Sequence, residues 1–178
     1  MGDFFVTALV FLIGCSLGWI IEVFFRRFMS SENKERRWVN PGFLRGPWLP
    51  LYGFGLLVLF SLCTAPKLAQ SPILLFGAIA LSMTALEYCA GLISTRLLNT
   101  RLWNYSNEWG NLDGLICPKF SLIWAICGIA YYYFLHPILI YAINYVSSSI
   151  MSKITISIYF ACFFYDLASS LKNHKSRI

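Results

Sequence analysis

Glu22 and Glu87 are the side chains of this sequence best placed to do chemistry, because each is a carboxylate inside an apolar run. Glu22 sits in residues 4–25, which lead into Asn40-Pro-Gly-Phe-Leu-Arg-Gly-Pro47. Glu87 sits in residues 72–98, which lead into Asn111-Leu-Asp-Gly-Leu-Ile-Cys-Pro118. A carboxylate in hydrocarbon costs several kcal/mol unless it is paired or faces water. Two of them, each followed by a similar Asn-Gly-Pro loop, point to one polar site. Such a site offers acceptors to a hydrogen-bond donor, or a general base in Glu87 with Arg45 or Arg101 holding a phosphate. Arg26 lies one helical turn after Glu22 and is its local partner, which makes Glu87 the sharper catalytic or binding candidate.

The elements that must position these groups are membrane spans. Of 178 residues, 58% are hydrophobic and only 12% charged, far more apolar surface than a water-soluble domain of this size can bury. Five spans are expected, at about residues 4–25, 48–65, 72–98, 115–135 and 153–171, each near the length that crosses a hydrocarbon core. Residues 137–152 are apolar but short, and Ser147-Ser148-Ser149 interrupts them, so they read as an outer-surface or half-inserted helix. The expected fold class is an all-α polytopic bundle forming a single membrane domain over residues 1–178, in a bacterial plasma membrane. A parallel two-span repeat, 4–65 and 72–135, is consistent with the doubled pattern, although the Glu-to-Asn spacing is eighteen residues in one copy and twenty-four in the other.

Charge orients the chain. With the N-terminus outside and the C-terminus inside, twelve of the fourteen Lys and Arg are cytoplasmic; only Lys67 and Lys153 are not. This is the positive-inside pattern. It accounts for the net charge of +6 without nucleic acid. Asp3 is the only charge ahead of the first span and no small-x-small site follows it, so that span is not expected to be a removed signal. Gly14 and Gly18 read as a small-xxx-small helix contact, and Cys15, within Leu12-Ile-Gly-Cys15, as a packing residue like the other five cysteines. His136 and His174 fall at opposite ends of the topology, so no metal site is expected; nor is there a P-loop or other cofactor motif.

In this orientation Glu22, Glu87 and Asp166 all lie toward the inner face, and so do both loops. Asp166 reads as an end-of-helix acid beside the tail lysines. Segment 40–55 holds Pro41, Pro47 and Pro50 with Gly42, Gly46, Gly53 and Gly55, a density of helix breakers tolerated at membrane depth only in a protein-buried or wet place. Its free N–H groups beside Arg45 would form a nest for an anionic or polar group. The second loop brings Arg101, Trp103, Tyr105 and Asn111 toward Glu87, with Arg101 as counter-ion and Tyr105 as hydroxyl donor. The expected binding set is Glu22, Asn40, Arg45, Tyr52, Glu87, Arg101, Trp103, Tyr105 and Asn111.

These stretches resemble the ABC-transporter type IV family of small bacterial membrane proteins. The resemblance rests on Gly18-Trp-Ile-Ile-Glu22, residues 40–55, Leu86-Glu-Tyr88, Arg101-Leu-Trp-Asn-Tyr-Ser106, and Asn111-Leu-Asp-Gly-Leu-Ile-Cys117 with Ser121 and Trp124. Pro41 stands where the family pattern has a basic residue, and Asn104 where it has an acid. The resemblance implies a permease-like transport component that self-associates or joins other membrane subunits, including a separate ATP-binding subunit, among membrane lipids. Two other classes compete with it. A membrane enzyme acting on an inner-leaflet lipid would use Glu87 as base. A non-catalytic scaffold or sensor would assemble through Gly14 and Gly18, tolerate Glu87→Gln and fail on Gly18→Leu.

Overall fold

A computed structural model of the chain describes residues 2–30, 33–146 and 149–175. Its elements are helical: α1 (Gly2–Phe28), α2 (Pro50–Thr64), the short α3 (Pro66–Ala69), α4 (Pro72–Leu92), α5 (Pro118–Ala130), α6 (His136–Val146) and α7 (Ile150–Lys175). A turn of π-helix at Ile93–Leu97 extends α4, and another at Tyr131–Leu135 joins α5 to α6. Four helical runs are long and apolar enough to cross a membrane: Phe4–Phe28, Pro72–Leu97, Pro118–Val146 and Ile150–His174. The expected all-helical multi-pass architecture is what the chain forms, with α2 as a shorter fifth apolar helix.

Prolines set the starts. α2, α3, α4 and α5 begin at Pro50, Pro66, Pro72 and Pro118, where the missing N–H would have had no helical partner and the fixed φ already suits a helix. The second and fourth spans therefore begin two and three residues later than hydropathy placed them, at Pro50 and Pro118. With 15 residues, α2 rises only about 22 Å, short of the roughly 30 Å hydrocarbon core. A crossing there needs the irregular residues ahead of it to cover the remaining depth.

The fourth span corrects a sequence expectation. The helix does not end at Leu135 with a separate surface helix after it; it runs for 29 residues, Pro118–Val146. Pro137 cannot donate to the helical ladder and its ring crowds the carbonyl four residues back. The π-turn immediately ahead of it, Tyr131–Leu135, loosens the ladder at that point and lets the helix pass. A hydrogen bond between Tyr131 Oη and His136 Nδ1 (3.0 Å) spans the same turn. Ser147 and Ser148 of the serine run, where a break is expected, lie outside the described residues, as does Arg177 of the basic tail.

The chain divides into two compact units, Met1–Phe54 with Ser147–Ile178, and Gly55–Val146, the division falling inside α2. In the first unit Phe11 of α1 is the hub, with ring centroids 5.1 Å from Phe54, 5.8 Å from Phe163 and 6.2 Å from Phe160. Cys15 is fully buried, and its sulfur lies where a side chain on Gly53 would stand. Gly18 faces the Tyr52 ring so closely that a Cβ there would overlap it. The small-residue contact expected at Gly18 is thus made within this chain.

In the second unit one stripe of α4 is buried: Leu75, Ile79, Met83, Glu87 and Gly91, spaced by four. Residues at that spacing form a ridge along a helix, and ridges pack into the grooves of a neighbour. The neighbour is α5, running antiparallel: Ile79 lies on Gly128, Thr84 Oγ1 donates to Ser121 Oγ at 2.8 Å, and Gly91 lies under Leu115. A Cβ on Gly128 would come within 2.5 Å of Ile79, whereas one on Gly77 would meet nothing. Gly128→Leu should therefore destabilise the fold by about 1–3 kcal/mol through overpacking. Gly77→Leu should leave thermal unfolding in detergent nearly unchanged. Equal unfolding temperatures for the two variants would contradict this packing.

Candidate functional site

Glu87 occupies a core position of α4 with 4% of its surface exposed. The Tyr105 hydroxyl donates to Oε1 at 2.9 Å, and the Trp124 side chain lies beside the carboxylate. Oε2 is buried without a well-formed hydrogen bond. Among the described residues the ion pairs are Arg26–Glu22, Arg37–Glu35 and Lys119–Glu108, so none neutralises Glu87. A carboxylate this deep is costly to keep without compensation.

Tyr105 is held in place by the loop it belongs to. Its ring stacks on Phe120 (centroids 4.2 Å apart), and its backbone N–H donates to Gly114 O at 2.8 Å. Asn111 binds the loop together: Nδ2 donates to Ser106 O and Glu108 O, and Oδ1 accepts the Gly114 N–H at 3.1 Å. Arg101 donates to Asp113 O at 2.7 Å, and Trp103 Nε1 donates to Leu115 O at 2.8 Å. Gly114 makes this possible twice over. Its φ is +65°, and a side chain there would run into the Arg101 guanidinium and Ser106 Oγ. Of the second-loop candidates, then, Tyr105 meets Glu87, while Arg101, Trp103 and Asn111 bond to backbone of their own loop. Tyr88, next to Glu87 in sequence, points instead to Asp113 Oδ2 at 2.8 Å.

The first unit holds a parallel set. Glu22 is half-buried and fully engaged: Arg26 Nε donates to Oε1 at 3.1 Å and the Tyr52 hydroxyl to Oε2 at 2.8 Å. Asn40 plays the part of Asn111. Its Oδ1 accepts from Trp19 Nε1 (3.0 Å) and from the Gly42 N–H (3.3 Å), and its Nδ2 donates to Leu44 O and Arg45 O. Each loop asparagine therefore supplies turn-forming bonds that the missing helix would have made.

The nest expected beside Arg45 exists, and the chain's own Asp166 fills it. Asp166 Oδ2 accepts the Gly46 N–H at 2.8 Å and the Trp48 indole N–H at 2.7 Å, with the Arg45 N–H directed at the same carboxylate; Oδ1 accepts from Ser170 Oγ at 3.2 Å. Asp166 is 8% exposed, so it is not the plain end-of-helix acid that its place near the tail lysines implied. An open cavity of about 650 Å³ adjoins it, lined by Arg45, Gly46 and Trp48 of the loop and by Ala161, Cys162, Tyr165, Asp166 and Ser169 of α7.

Asp166 and Trp124 are the polar partners that sequence reasoning left out of the site. Trp124 stands among the motif residues; its spacing of three from Ser121 placed both on one face of α5, a usable signal. Asp166 carried none beyond its being an acid in a span. Asp166→Ala leaves the Gly46 N–H and the Trp48 indole without their acceptor, a cost of about 1–3 kcal/mol. Hydrogen exchange at Gly46 and cleavage in residues 41–48 should both accelerate in this variant, while exchange in the loop 101–114 stays as it was. Unchanged protection at Gly46 would show that the carboxylate does not hold the segment.

No curated protein and no solved structure matches this chain. A family match does, covering residues 9–171. It spans α1 to most of α7 and so takes in every polar contact described above. The chain belongs to the family described as putative ABC-transporter type IV.

Proposed function

We propose that this protein is a membrane-embedded component of an ABC-type transport system in a bacterial plasma membrane, N-terminus outside and C-terminus inside, and that Glu87 with Tyr105 is its substrate-contacting pair. The carrying observation is the place of Glu87 in the buried stripe Leu75–Ile79–Met83–Glu87–Gly91. Every other member of that stripe is apolar or glycine. Packing alone would be served better by a hydrophobe, since replacing buried polar groups by apolar ones of similar size is often neutral or stabilising. An acid kept there without a cation, with only the Tyr105 hydroxyl and the Trp124 side chain as neutral donors, suits a polar substrate group that brings its own N–H or O–H.

Within the same unit Asn111, Arg101 and Trp103 fix the loop that carries Tyr105. In the other unit Asn40 holds its own loop and Tyr52 completes the hydrogen bonding of Glu22. A chain of this kind works with an ATP-binding subunit, other membrane subunits or further copies of itself.

Glu87→Gln keeps the side-chain shape and removes the charge; Tyr105→Phe removes only the hydroxyl. Both variants should reach the membrane at wild-type levels and copurify with the ATP-hydrolysing partner. Both should lower substrate-stimulated ATP hydrolysis, or complementation of a deletion strain, by about tenfold or more, the worth of roughly 1.4 kcal/mol. Full activity in both variants overturns the assignment of the pair. Purification from native membranes without any ATP-hydrolysing partner overturns the transport reading itself.

A further inference from the structure

We infer that the open cavity between residues 45–48 and α7 is a binding site for one anionic glycerophospholipid, its phosphate on the Arg45 guanidinium and an acyl chain along α7 toward Ala161. The cavity, about 650 Å³, lies within the roughly 300–1,000 Å³ of ligand-sized clefts. Its α7 wall is a single stripe, residues 161, 162, 165, 166 and 169, on a helix apolar enough to cross the membrane. Polarity grades along that stripe. Arg45, Gly46, Asp166 and Ser169 gather at the end nearer the α7 C-terminus, and Ala161 and Cys162 lie at the end nearer mid-span. A phospholipid has the same gradient over the same direction, headgroup at the membrane surface and chain toward its centre.

Charge selects the headgroup. Arg45 is exposed at the rim and takes part in none of the ion pairs among the described residues. The one carboxylate in the cavity, Asp166, is occupied by the Gly46 N–H, the Trp48 indole and the Ser170 hydroxyl. The planar fork of the guanidinium matches a phosphodiester, and its unpaired charge favours a headgroup whose net charge is negative. The donors that lock Asp166 thus leave Arg45 available to a ligand from the bilayer. This inference stands apart from the transport reading, since it uses no group near Glu87.

The protein is placed in nanodiscs containing phosphatidylcholine and phosphatidylglycerol and examined by native mass spectrometry. The wild-type chain should retain one phosphatidylglycerol in preference to phosphatidylcholine. Arg45→Gln should weaken that retention about fivefold, the worth of one basic residue at an anionic surface, while Arg37→Gln should not. Retention of phosphatidylcholine to the same degree by the wild-type chain overturns the inference, and so does equal retention of phosphatidylglycerol by Arg45→Gln.

Discussion

A backbone that leaves helical geometry must find new partners for the N–H and C=O groups it frees. Residues 40–49, rich in proline and glycine, face this constraint, and the bonds they make organise the first unit. The Asp166 carboxylate reaches in from α7 to take the Gly46 N–H and the Trp48 indole. Asn40 binds the carbonyls of Leu44 and Arg45 from the other end of the segment. Leu49 N–H, the last before α2 begins, goes to Cys15 O on α1 at 3.1 Å. The irregular stretch is thereby tied to both long helices of its unit.

The two acids that dominate the sequence meet different fates under the same rule. Glu22 sits nearly two turns from the end of α1, where an arginine and a tyrosine hydroxyl reach it, and both of its oxygens are used. Glu87 sits within a packed ridge of α4, and none of the ion pairs among the described residues includes it. The Tyr105 hydroxyl, delivered by a loop that folds back on itself, donates to it, and the Trp124 side chain lies beside it. Identity of residue type does not carry over to identity of role. The surroundings decide whether a carboxylate is paired with a cation or held by neutral donors alone. Both loops use the same chemistry, an asparagine stapling the turn and a tyrosine capping the glutamate. The order is different, however: Tyr52 follows Asn40, and Tyr105 precedes Asn111.

Some of this was legible before any coordinates. Apolar runs of about twenty residues locate the spans, prolines mark helix starts, and the Glu22–Arg26 spacing implies the ion pair that forms. The Glu87–Tyr105 contact also followed from loop composition. The continuation of α5 into α6 did not. A proline and three serines read as a break, yet a π-turn carries the helix past Pro137. The role of Asp166 was hidden because the bonds it makes join residues about 120 apart in the chain.

By itself the sequence determined that this is a multi-pass helical membrane protein with costly acids in its spans and two loops that cannot be helical. Those properties are local: hydropathy summed over a span, a ring that fixes φ, a donor that is missing. Which acid is satisfied, which donors are consumed and which cation is left exposed were decided only by tertiary structure. Hydrogen bonds reach about 3 Å and have direction. Partner choice in a low-dielectric interior therefore depends on how helices far apart in sequence are brought side by side.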